Sequence, residues 1–239
     1  RLAEMDALVR KSFKTFDYKR VMAAMLNFTG VDLSAVYFDI RKDSLYCDAP
    51  GDERRRAART VMALVLERLL AWLAPIMPFT TEEAFLISPF AGRAASIHLT
   101  QLPATPEAWR DDALAARWEQ IFAVRRVITG ALEVERREKR IGASLEAAPV
   151  VHIADTGLRE LAGSVDMAEL CITSGITLTG EAAPAGAFSL DEIAGVAVIP
   201  ALSTGGKCAR CWKVLPEVDE THPLCHRCDD AVATHDAGA

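Results

Sequence analysis

Cys208, Cys211, Cys225 and Cys228 are the side chains whose spacing points most directly to chemistry. They stand in Lys207-Cys-Ala-Arg-Cys-Trp-Lys213 and Leu224-Cys-His-Arg-Cys228, two C-x-x-C knuckles with 13 residues between Cys211 and Cys225. Each knuckle can offer two sulfurs from one tight turn, so the pair suits a single tetrahedral Zn2+ held by four thiolates. The intervening loop is slightly shorter than the usual ribbon spacing. A closed four-thiolate site is structural, which shifts attention to what the metal holds in place. A mixed set of Cys208 and Cys211 with His222 and His226 stays open. However, only ten residues separate Cys211 from His222, and Cys225 and Cys228 would be left over. Disulfides are the other reading. No signal peptide is evident and no apolar run reads as long enough to span a membrane, so a cytoplasmic, metal-binding use of the pairs is expected. Cys47 and Cys171 sit among apolar neighbours and read as core thiols.

Other reaction chemistry is not legible. There is no G-x-x-x-x-G-K-[ST] loop and no G-x-G-x-x-G,. His98, His152 and His235 are scattered, and the acid pairs Glu82-Glu83 and Asp111-Asp112 fall at expected helix starts, where the dipole accounts for them. The expectation is a binding protein with no catalytic residues in this chain.

Two basic stretches stand out from a chain of net charge −6 and pI about 5.5. Arg117 to Arg140 holds seven basic and four acidic residues, with Arg125, Arg126, Arg136, Arg137, Lys139 and Arg140 as candidate RNA contacts. The interleaved Glu133, Glu135 and Glu138 also allow the plainer reading of helix-stabilising pairs. The second stretch is the knuckle region: Lys207, Arg210, Trp212, Lys213 and Arg227. Cations beside an aromatic on a metal-fixed turn suit phosphate contact and base stacking in an RNA loop. Trp212 could instead pack over the metal site.

The elements that must position these residues read as mainly α. Residues 1 to about 27 carry an apolar 3–4 period, whereas 31–46 is ambiguous. Arg54–Leu73 is an amphipathic helix with Ala57, Val61, Leu64, Val65, Leu69 and Trp72 expected on one face,. Arg54, Arg55, Arg56 and Arg59 oppose its dipole. Thr80 and Glu83 read as a capping box for a short helix after Pro78. A long helix should run from Asp111-Asp112 to about Arg140, burying Leu114, Trp118, Ile121, Phe122, Ile128 and Leu132, with Ile141-Gly142 as its stop. Strands are expected at Val150–Ile153, Ile176–Leu178 and Val196–Ile199, with short helices at Leu158–Leu161 and Met167–Leu170. The 239 residues, half of them hydrophobic, thus divide into three expected parts. These are a helical bundle (1–141), a small α/β module (142–202) and a zinc-binding tail (203–239) whose last residues, Ala231–Ala239, look frayed.

A family resemblance enters on particular segments. Leu70-Ala-Trp-Leu-Ala-Pro-Ile-Met-Pro-Phe-Thr-Thr-Glu-Glu-Ala-Phe85 resembles the anticodon-binding helical domain of class I aminoacyl-tRNA synthetases of the Ile/Val/Leu/Met subgroup. Trp118–Leu145 and the two knuckles are similar to the bacterial isoleucine branch, and the resemblance covers essentially the whole chain. It implies a C-terminal fragment of an isoleucine–tRNA ligase that recognises the anticodon stem-loop of isoleucine tRNA. The parent enzyme would use ATP to join isoleucine to that tRNA and would edit valine, with one structural zinc in the tail. The HIGH and KMSKS signatures are absent, so this piece alone is expected to be inactive and to act with the rest of the synthetase. A related knuckle in DNA glycosylases supplies the alternative of a zinc-ribbon DNA-binding module, and a purely structural domain is a third reading.

Overall fold

The computed structural model describes residues 1–237. Packing divides them into two compact units: residues 1–45 with 50–111, and residues 46–49 with the described chain from 112 onward.

The first unit is helical. α1 (Leu2–Lys14) and α2 (Tyr18–Asn27) are joined at Phe16, which takes φ +58°. Asp17 caps α2 by accepting the Arg20 amide,. The next 11 residues, Phe28–Phe38, wind as a π-helix and run directly into α3 (Asp39–Cys47). The segment left ambiguous by its mixed sequence is therefore continuous helix. Its 30 residues from Tyr18 to Cys47 are long and apolar enough, by length and composition alone, to cross a membrane. That corrects the expectation that no such run exists. Val21, Met25, Phe28 and Leu33 place part of this apolar content in a core with Met5 and Val9 of α1 and with Val65 and Trp72 of α4 (Glu53–Leu73).

α4 starts where Asp52 accepts the Arg54 and Arg55 amides,. Its buried side is Ala58, Val65, Arg68, Leu70, Ala71 and Trp72, while Val61 is exposed, so the expected face is turned. Within this unit, Trp72 donates its indole N–H to buried Asp6. Arg68, only 3% exposed, reaches the carbonyls of Leu64 and Ala104 and lies against the Trp109 ring. These contacts satisfy polar groups that would otherwise destabilise a buried position. α5 (Pro78–Leu86) begins two residues before Thr80 of the expected capping box: Pro78 occupies the first helical turn and no side chain caps it. Proline suits that place because its missing N–H has no intrahelical acceptor there. Glu82 instead accepts from the Ser96 hydroxyl and the Ile97 amide.

The second unit is built on α6 (Asp112–Arg137). Its buried stripe is Ile121, Val124, Val127, Ile128, Ala131 and Leu132, whereas Leu114 is exposed. Lys139, in the left-handed region at φ +59°, ends the helix, and not Ile141-Gly142. The Lys139 amide bonds Arg136 O and the Arg140 amide bonds Glu135 O, the paired bonds of a Schellman stop,. α6 packs on a four-stranded sheet of order β2-β1-β4-β3. β1 (Val150–Ile153) runs parallel to β2 (Thr177–Thr179) and antiparallel to β4 (Val196–Ile199), which pairs with β3 (Phe188–Ser189). Gly130 seats the Phe188 ring: a Cβ there would lie 3.0 Å from it. α7 (Thr156–Gly163) and α8 (Met167–Cys171) connect β1 to β2. Cys171 is buried among them, and that burial pushes its thiol up to about 12, as befits an inert core group,. A hairpin of β5 (Gly206–Lys207) and β6 (Val214–Leu215) follows, then α9 (His226–Ala237). The tail expected to fray is helical as far as it is described, with Ala231 buried; Gly238 and Ala239 lie outside the described residues.

Candidate metal centre and nucleic-acid interface

The β5–β6 hairpin delivers the first knuckle. Lys207 pairs with Val214, the Cys208 amide donates to Lys213 O, and the Trp212 amide donates back to Cys208 O. Close backbone approach fixes the entry to this turn. A Cβ on Gly205 (φ +109°) would fall 2.0 Å from Leu215 O, so no other residue fits,. The second knuckle runs into the start of α9, where the Cys228 and Asp229 amides donate to Cys225 O. The Cys225 amide crosses to the Cys208 sulfur at 3.3 Å.

The four sulfurs lie within 4.8 Å of one another and all four residues are buried. Cys211 and Cys225 Sγ are 3.7 Å apart and unbonded. Tetrahedral sulfurs about 2.3 Å from a metal stand about 3.8 Å apart, whereas a disulfide needs about 2.0 Å. The set therefore fits a metal ion and does not form bridges. Burial raises the Cys211, Cys225 and Cys228 thiols. Burial acts on Cys208 too, but amides of Cys211, Cys225 and Arg210 outweigh it and bring that thiol down to about 6. Within the connecting loop, Asp219 accepts from the Thr221 hydroxyl and the Thr221 and His222 amides, which hold its carboxyl down near 2. His222 turns to Asp219 and Thr221, and His226 is exposed at the start of α9, so neither joins the sulfur cluster.

Both knuckles have the form Cys-x-Arg-Cys, and the two arginines reach one segment. Arg210 donates to the carbonyls of Cys47 and, at 2.9 Å, Tyr46; Arg227 pairs with Asp48, which is 2% exposed. Cys47 packs into the same apolar cluster as the four cysteines. Tyr46–Ala49 thus belongs to this unit although its chain neighbours lie in the other.

Trp212 is not among the residues packed into the apolar cluster of the four cysteines. It follows Cys211 at φ +66° with its side chain 61% exposed, and Lys207 Nζ sits 5.8 Å from its ring centroid. A bulky residue in this region stores roughly 1–3 kcal/mol of strain.

The candidate contacts on α6 divide by what they touch. Arg125 is half-buried and donates to Leu170 O at 2.7 Å. Arg136 meets Glu133 and the Ser144 hydroxyl. Arg140 grips Glu135 with two nitrogens and also meets Glu138. The Glu135 hydrogen bond raises Arg140, and Arg140 in turn lowers Glu135. Arg126, Arg137 and Lys139 are exposed, and they and Lys213 make no ion pair among the described residues.

A hydrogen-bonded hub links the end of α6 to the knuckles. Arg136 holds Ser144; the Ser174 hydroxyl donates to Leu145 O and accepts the Val214 amide; the Ser203 amide donates to Glu146 O and its hydroxyl to Val214 O. Ser174, Ser203, Tyr46 and Asp48 were not anticipated from the sequence. The only hint was the repeated arginine before the second cysteine of each knuckle.

With this geometry in view, the chain matches the family described as the anticodon-binding domain of tRNA ligase over residues 1–152, and it belongs to that family. It is similar to the isoleucine–tRNA ligases of Brucella abortus and Agrobacterium fabrum, each 54% identical over 218 residues. That of Ruegeria pomeroyi is 52% identical over 235 residues. These alignments cover 91%, 91% and 97% of this chain. The chain spans less than a quarter of the length of these curated relatives, 22–24%.

Proposed function

We propose that this chain is the part of an isoleucine–tRNA ligase that binds the anticodon stem-loop of isoleucine tRNA, with one structural Zn2+ on Cys208, Cys211, Cys225 and Cys228. The observation that carries the reading is Trp212. A strained, exposed indole on a metal-fixed turn, beside Lys207 and Lys213, gives an unpaired base a face to stack on and its phosphates cations to meet,. Arg126, Arg137 and Lys139 extend the phosphate contacts along α6. Arg136 and Arg140 contribute less to that contact, because Glu133, Glu135 and Glu138 already engage them. Arg125, Arg210 and Arg227 shape the surface from within.

On this reading the zinc supplies no reaction step. Bound to four thiolates, it fixes the knuckle turn, while the Cys208 and Trp212 amides close it and Lys207 orients the indole. Joining isoleucine to tRNA with ATP then belongs to other parts of a cytoplasmic enzyme, and this chain contributes affinity and choice of tRNA. The DNA-binding alternative is not favoured, because the family match lies in residues 1–152, ahead of the knuckles, and concerns tRNA ligases.

The test compares isoleucine tRNA with the same tRNA carrying a changed anticodon. Tighter binding of the unchanged tRNA is expected; equal affinity for both would overturn the anticodon claim.

A further inference from the structure

Tyr46 is 78% exposed, among the most exposed large hydrophobic side chains of the chain. A single exposed aromatic is ordinary on a protein surface. What surrounds its backbone is not. The Tyr46 carbonyl accepts from Arg210, the Cys47 carbonyl accepts from the same guanidinium, and the Cys47 side chain is buried in the metal-site core. Asp48, also buried, is held by Arg227. Three consecutive residues are thus fixed by both knuckles, and the one side chain left outside is the phenol ring. Arg210 lies two residues before Trp212 in the same turn, so Tyr46 is anchored within one side chain's reach of the turn that presents the indole.

We propose that Tyr46 is a second stacking platform for unpaired RNA bases, held beside the Trp212 turn by Arg210 and Arg227, which act as positioning residues. The proposal rests on the RNA-binding reading and adds a residue to it. An aromatic face accepts any base, so two rings on one rigid support can hold two splayed bases of one loop at small ordering cost. A carbonyl clamp suits this task because it fixes the main chain and leaves the ring unobstructed. Lysine could not replace Arg210, since one ammonium lacks the planar fork that spans two carbonyls.

The experiment measures affinity of the zinc-loaded 239-residue chain for an anticodon stem-loop RNA of isoleucine tRNA and for a blunt duplex of the same stem. Tyr46→Ala is expected to weaken loop binding at least about fivefold, with Tyr46→Phe near wild type and duplex binding unchanged. Arg210→Ala, checked for zinc content, should weaken loop binding in the wild-type background and much less in Tyr46→Ala, because the two act along one route. Wild-type affinity in Tyr46→Ala, while Trp212→Ala is weakened, would overturn the proposal and leave the RNA reading standing. Equal losses for Arg210→Ala in both backgrounds would overturn the positioning role. No loop binding by the wild-type chain would overturn both.

Discussion

The end of α6 and the knuckle turn carry similar numbers of cations and use them differently. On α6 the acids Glu133, Glu135 and Glu138 lie within a turn of the arginines, and Arg136 and Arg140 are drawn into pairs with them. In the knuckles Arg210 turns to main-chain carbonyls, Arg227 to Asp48 and Lys207 to an aromatic face. Net charge along a sequence therefore overstates what α6 can offer a polyanion. The knuckle region instead leaves Lys207 and Lys213 without a carboxylate partner among the described residues, while Arg227 is paired with Asp48.

The strongest way to break this contrast is to remove the metal site. Cys225→Ser should abolish zinc binding, measured by metal analysis, and unfold the tail, while the helical signal of residues 1–111 persists through melting. Structural zinc contributes on the order of 10 kcal/mol to small domains, so the tail should not survive its loss. Collapse of all cooperative structure would mean the two regions are not energetically distinct. Trp212→Ala should follow, costing RNA binding about 1–3 kcal/mol. Trp212→Gly sharpens the point: glycine relieves the φ +66° strain, so melting should rise slightly while RNA affinity falls,. On α6, Arg137→Ala and Lys139→Ala should each flatten the salt dependence of binding by about 0.7 in log–log slope, and Arg140→Ala by much less. The smallest effect is acidic. The Asp219 carboxyl is held near 2, below its usual 3.8, so its contribution is present above pH 3.8 and fades as pH falls toward 2,. Asp219→Asn should remove that step from the acid titration of the Thr221 and His222 amides, followed by NMR.

How much of this was readable follows from the range of each signal. The cysteine spacing, the β1 and β4 patterns and the long apolar period of α6 are local, and the sequence displays them directly. β3, β5 and β6 are two residues each, too short to show an alternation. Pro78 misled because proline both breaks helices and starts them, and only the incoming chain direction decides between the two. Glycine is the usual left-handed residue, so the sequence points to Gly142 as the α6 stop; Lys139 takes that conformation instead, supported by its Schellman bonds. The arginine clamp was out of reach altogether, since its partners lie 163 to 179 residues away and leave no periodic trace.

That separation has a consequence for how the molecule is made. The segment that completes the knuckle surface is synthesised long before the knuckles are. Until the last cysteine emerges, Cys47 and Asp48 have no arginine to meet and no sulfur cluster to pack against. Closing so long a loop is slow even though its entropic cost grows only logarithmically with length. Docking of Tyr46–Ala49 is therefore expected among the last folding events. A truncated chain beginning at Asp112 would carry both arginines and all four ligands yet present an unfilled apolar notch where Cys47 belongs.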